Sequence, residues 1–184
     1  MGSKLDIRAQ IAADAALQVE IGQALVAIAD SLPQATELRI ARIVLRTLEA
    51  GWDEHVSFQD EVVFPIVLGR HARRTAHIVE RLRADHAGLS SRHAEIGRHL
   101  NGVLNGATNE LAALEQTLRA TFELRRDHLH VDAELSGWLP PAFSAAELSL
   151  CCNWEDSRPT PRFPLNVLKA TQRRSFRLGG EGVH

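Results

Sequence analysis

The chain has no tyrosine, only one methionine and few clusters of β-branched residues, while Ala, Leu, Arg and Glu are plentiful. That composition argues against strands and for helices. Its two cysteines are neighbours, Cys151 and Cys152, and adjacent cysteines close on each other only with strain. No disulfide framework is expected, and a reducing, cytoplasmic setting is the simpler expectation. No uninterrupted apolar run of 18 residues is visible, and the opening "MGSKLDIRAQ" lacks the apolar centre of a signal peptide. The same stretch has Asp6 where a myristoylation signal wants Ser or Thr. A large charge of one sign is also missing. With 21 Lys and Arg against 23 Asp and Glu, the net charge of −2 makes no electrostatic case for nucleic acid or an anionic membrane. A phosphate-binding loop and a Ser-His-Asp set are lacking too, so nothing points to nucleotide binding or hydrolysis.

Helical periodicity and nine histidines are what the 184 residues do hold. Four segments repeat apolar residues at alternating intervals of three and four. The first runs through Ile7, Ile11, Asp14, Gln18, Ile21, Leu25, Ile28 and Leu32. Pro33 breaks it. The second runs from Leu38 through Leu45, Leu48, Trp52, His55, Gln59 and Val62 to Ile66, and "LGR" at 68–70 supplies the next break. Val79, Leu82, His86, Leu89, His93, Ile96, Leu100 and Val103 form the third, closed by the turn-like "NGVLNG" at 101–106. The fourth runs from about residue 108 to Pro140, seeded by Leu111, Leu114, Leu118 and Phe122. Such stripes are too narrow to stand alone, which predicts an all-α, up-down-up-down four-helix bundle over residues 1–143. A short helix capped by Ser144, then a linker and tail, is predicted for 144–184.

Several positions in apolar phase are polar: Asp14, Gln18, His55, Gln59, His86 and His93. Burying each without a partner costs about 1–3 kcal/mol, so they must satisfy one another, water or a metal. A repeat sharpens the choice. "HVSFQDEVVFP" at 55–65 and "HVDAELSGWLP" at 130–140 share length, an opening His-Val and a closing apolar-Pro pair. A His with a carboxylate four residues on presents both on one helical face, a pairing that suits a cation inside a bundle. The second copy has Glu134 at that place; the first has Gln59. The fourth helix offers two such pairs. An ideal helix brings His128 and Asp132 inward, whereas one π-bulge between Phe122 and His130 turns His130 and Glu134 inward. The repeat favours His130 and Glu134, with His128 and Asp132 as the alternative.

These residues resemble the hemerythrin-like, or HHE, cation-binding family over roughly residues 10–140. The pieces that carry the likeness are the 55–65 stretch, "LRADHAGL" around His86, and "HVDAELSGWLP". The resemblance implies a four-helix bundle holding non-haem iron, with members that carry, store or sense oxygen, nitric oxide or iron. Matched position by position, it implies metal ligands at His55, His86, His130 and Glu134. Two positions depart from the pattern. Gln59 stands where the family has a bridging carboxylate, and no His lies near Ala15, where a first-helix ligand belongs; Asp14 is adjacent.

A neutral Gln cannot bridge two cations. Three His and one carboxylate nevertheless complete a mononuclear site for zinc, manganese or iron, whereas a second iron needs Asp14 or another acid. The expected partners are therefore a metal ion, one or two per chain, and a small gas ligand, with no nucleic acid and no membrane. The alternative is a metal-free bundle that has lost the site and serves as a structural or interaction protein. No enzymatic activity is assigned, and a metal-dependent redox enzyme ranks last. Trp52 is expected in the core, His93 in a supporting position near the bundle end, and His71, His77 and His99 at the surface. Cys151 and Cys152 are expected as small buried residues of the terminal helix.

Overall fold

The structure is a computed structural model that describes residues 6–32 and 35–157, without the side chains of residues 35–41, 43 and 44. Pro33 and the tail from residue 158 lie outside the described residues, as do the side chains of Leu38 and Ala41. Among the described residues five helices follow one another: α1 (Ile7–Ser31), α2 (Ala35–Phe58), α3 (Phe64–Leu104), α4 (Glu110–Ser136) and α5 (Ala145–Ser157). Between α2 and α3 the chain does not leave the helix but widens into a π-helical turn, Gln59–Val63. Helices α1 to α4 pack as a closed ring of neighbours, α1 on α2, α2 on α3, α3 on α4 and α4 back on α1. This is the all-α four-helix bundle that the periodicity predicts, with no strand among the described residues.

Local chemistry sets the ends. Asp6 caps α1, its carboxylate accepting from the backbone N–H groups of Arg8 and Ala9. The turn from α3 to α4 passes through Gly106 at φ +90°, a conformation that only glycine adopts without strain. Ser144 and Glu147 bond reciprocally, each side chain to the other's backbone N–H, which is the capping box at the start of α5. Arg70 then ties that box to the bundle through both Glu147 oxygens at 2.6 Å.

Pro65 explains the π turn. It has no N–H to donate, and its ring crowds the carbonyl four residues back, so an unbroken α-helix through it is costly. The wider turn just before it absorbs that conflict. One consequence is a broad buried face, with Gln59, Val62, Val63, Phe64, Ile66 and Val67 all inside. The break expected at 68–70 falls at His71, whose φ of −136° and ψ of 28° leave the helical region. There α3 bends, so that Phe64–Arg70 continues the line of α2 and the remainder forms the third member of the bundle.

The apolar core is divided. One cluster, at the α1 C-terminal end, gathers Ile21, Leu25, Ile28, Leu48, Ile96, Leu100, Leu114 and Leu118. The other, at the opposite end, gathers Ile7, Phe58, Val62, Phe64, Val79, Leu82, Val131 and Leu135. Fully burying each such side chain stabilises the fold by about 1.5–3 kcal/mol. A polar layer lies between the clusters. By length and composition α1 is long and apolar enough to cross a membrane, with an 18-residue window of mean hydropathy 1.4. The same helix carries Asp14 and Gln18 in that polar layer.

Helix α5 closes one end. Trp154 is buried against Phe58, with ring centres 4.7 Å apart, and its indole N–H donates to Ser57 at 2.9 Å. Of the two cysteines only Cys151 is buried; Cys152 is exposed, which corrects the expectation for the pair. Removing the indole in Trp154→Ala is expected to cost about 3–5 kcal/mol of stability. Urea unfolding followed by circular dichroism checks this, and a loss below 1 kcal/mol would mean that α5 is not anchored on the π turn.

Candidate metal centre

Trp52 stands at the middle of the polar layer, 1% exposed. It stacks on His55 at 5.0 Å and meets His86, His93 and His128 edge-on at 5.3–5.7 Å. Three of these histidines come together. The ligating nitrogens of His55, His86 and His128 lie within 4.8 Å of one another, all three side chains buried. They reach the same place from three different helices, α2, α3 and α4.

The fourth helix settles which pair points inward. Helix α4 is regular from Glu110 to Ser136, so the stripe through Leu114 and Leu118 continues to Arg125, His128 and Asp132. His130 and Glu134 are exposed on the outer face, and neither belongs to the histidine cluster. The π-bulge expected in α4 occurs in the second helix instead, at Gln59–Val63. Nor do the two His-Val stretches play the same part. The first carries Pro65 inside a continuing helix, whereas the second leaves its helix after Ser136, four residues ahead of Pro140. The cue for His128 is its seven-residue-and-three offset from Leu118, which points inward as long as the helix is ideal.

Hydrogen bonds orient the cluster from α1. His55 Nδ1 lies 2.5 Å from Asp14 Oδ2, a contact that holds Nδ1–H on the carboxylate and turns Nε2 toward the interior. There His55 Nε2 faces His128 Nε2 at 3.0 Å. Gln18 donates to the other Asp14 oxygen and to the Gly51 carbonyl, and its own carbonyl accepts from Arg125. Arg125 is 2% exposed, lies over Trp52 at 5.0 Å and donates to His93 Nε2 at 3.3 Å. Gln59 donates to Asp132 Oδ1 at 2.5 Å. His93 thus supports Arg125 rather than joining the cluster. Among the expected surface histidines, His77 is exposed, His71 is half-buried against Trp138, and His99 is half-buried with Glu110.

Among the described residues five buried polar atoms find no partner: both ring nitrogens of His86, His128 Nδ1, Gln59 Oε1 and Arg125 Nε. His128 Nδ1 is 3.8 Å from Asp85, too far for a hydrogen bond. Burial, together with neighbouring His55, pushes His86 down to about 4. Burial with His55, His86 and Arg125 pushes His128 down to about 2, so at neutral pH neither is a cation. His93 falls to about 3 through burial and Arg125. Burial raises Asp132 to about 6, and Arg125 is lowered to about 10.

Neutral imidazoles with unshared nitrogen lone pairs are what a transition-metal ion binds. The 3.0 Å separation of the two Nε2 atoms also fits. Ligands about 2.0–2.1 Å from one ion, at angles near 90–110°, stand roughly 2.8–3.4 Å apart. No family model, curated protein or solved structure matches the chain. The geometry defines a four-helix bundle with a buried three-histidine cluster able to hold a metal ion.

The depressed histidines make the metal-free protein acid-sensitive. Between pH 6.5 and the folded values near 4, 3 and 2, the unfolded chain binds up to three more protons through His86, His93 and His128. Their contribution is complete above pH 6.5 and is lost as pH falls. Asp132 acts in the opposite sense, because its raised value lets the folded state hold a proton between about 6 and 3.8. Three groups outweigh one. Stability in chelator should therefore fall between pH 7 and 4.5, by about 1.4 kcal/mol per pH unit for each net proton. Urea midpoints at four pH values check this; midpoints that stay flat or rise toward pH 4.5 would contradict it.

Proposed function

We propose that the protein binds one transition-metal ion per chain through His55, His86 and His128. The observation that carries this reading is the convergence of three buried imidazoles, with both nitrogens of His86 unpartnered among the described residues. One ion rather than two follows from the donors. No carboxylate belongs to the three-histidine cluster, and Gln59, where a bridging carboxylate is expected, offers only a neutral oxygen. We take the ion to be non-haem iron, as the resemblance to hemerythrin-like proteins implies, and its use to be holding or sensing oxygen, nitric oxide or iron itself. Zinc and manganese suit the same donors.

A bound ion would act as a Lewis acid with coordination positions left open beyond the three imidazoles. The residues around it have separate tasks. Asp14 fixes the tautomer and ring plane of His55, and Gln18 and Arg125 fix Asp14 in turn. Trp52 and Phe64 wall the cluster from water, Phe64 stacking on His86 at 5.9 Å. A second reading, a metal-free bundle, is favoured by one observation: Gln59 and Asp132 already bond each other, as His55 and His128 do.

Elemental analysis separates the two. Full-length protein purified without an affinity metal column, loaded with ferrous iron or zinc and desalted, should retain about one ion per chain. His86→Ala and His128→Ala should each abolish retention, while a His130→Ala, Glu134→Ala double variant keeps it. Asp14→Asn should weaken affinity by about 10–100-fold. Retention of no metal by the wild-type protein, or its loss only in the double variant, would overturn the proposal.

A further inference from the structure

A groove of about 400 Å³ lies between α1 and α4, walled by Ile11, Ala15 and Val19 on one side and Leu129 and Ala133 on the other. Val19 is 48% exposed, the one large apolar side chain so exposed among the described residues. The volume sits near the small end of the range of about 300–1,000 Å³ typical of small-molecule sites. Asp132 also lines the groove, although it is only 6% exposed.

Among the described residues that carboxylate forms no ion pair and no hydrogen bond with a cationic side chain. Its single hydrogen bond among the described residues comes from the Gln59 amide, a neutral donor. Arg8 lines the same groove, but its guanidinium donates to the carbonyls of Leu139 and Pro140. Arg125 is turned instead to Gln18 and His93. A buried acid without a counter-ion is costly, and a cation brought by a ligand removes the cost. The walls beside it are apolar, so they favour a hydrocarbon body.

We propose that this groove binds a small organic cation, in its simplest form a primary alkylamine, with the ammonium on Asp132 and the alkyl chain between α1 and α4. An alcohol would bring a donor without charge, and a carboxylate would bring the wrong charge. The placement of Asp132 one helical turn beyond His128 puts the ammonium beside the histidine cluster. The proposal stands on the groove and its acid, and it holds whether or not the cluster binds metal.

Hexylamine, hexanol and hexanoate titrated into the full-length protein in chelator at pH 8, followed by isothermal calorimetry, test it. Hexylamine should bind at least tenfold more tightly than either analogue. Asp132→Asn should lose at least tenfold of that affinity. Ala133→Phe, which alters an exposed position and fills the groove, should abolish binding with the helical circular dichroism unchanged. His130→Ala, which alters an exposed residue outside the groove, should bind hexylamine as the wild type does. Absence of amine binding, equal binding of hexanol, or full affinity in either groove variant would overturn the proposal.

Discussion

Asp14 and His55 meet across α1 and α2 at 2.5 Å, and the polar interior is arranged outward from that contact. The carboxylate has two oxygens; one holds His55, the other accepts from Gln18. Gln18 then engages Arg125, which lies over Trp52 and reaches His93. In the other direction His55 faces His128. A chain of contacts thus runs through α1, α2, α3 and α4 and ties the four helices at one level. Each link matters because a buried polar group left alone costs about 1–3 kcal/mol, while the net gain of a satisfied bond is only about 1 kcal/mol. Such a layer adds little stability of its own. It fixes which faces of the helices meet, and the two apolar clusters on either side supply the stability.

The bundle was legible in the sequence because its signal is redundant. Four stripes with the same period, joined by breaks at 68–70 and 101–106, admit few other arrangements. Phase also revealed part of the buried polar set, since Gln18, His55, Gln59, His86 and His93 all fall on the seam and all lie inside. On α4 His128 and Asp132 face inward while His130 and Glu134 face out, for a physical reason. The two His-Val stretches share spacing but not backbone: one passes a proline through a widened turn, and the other ends its helix. Identical spacing therefore places side chains on different faces. The unaided periodicity of α4, from Leu118 to Arg125 and His128, pointed to the correct residues. Arg125 was missed, because a single Arg in an "ELRRDH" run looks like a solvated charge until the helix phase is followed through it.

The π turn links fold and centre. Pro65 requires a departure from α-helical geometry, and the departure occurs where Gln59 approaches Asp132. Helix α5 rests on the same turn through Trp154, Phe58 and Ser57. The end of the bundle nearest the histidines is thus held by a packed tryptophan as well as by the apolar cluster around Leu135 and Val67. That rigidity favours three imidazoles remaining in place without an ion to gather them.

Metal-edge X-ray absorption of the zinc-loaded protein tests the central claim most directly, because it counts and types the inner ligands. About three imidazole nitrogens at about 2.0–2.1 Å are expected in the wild type and unchanged in His130→Ala, while His128→Ala should retain no zinc to measure. A shell of oxygen alone, or one that changes with His130 and not with His128, would contradict that claim.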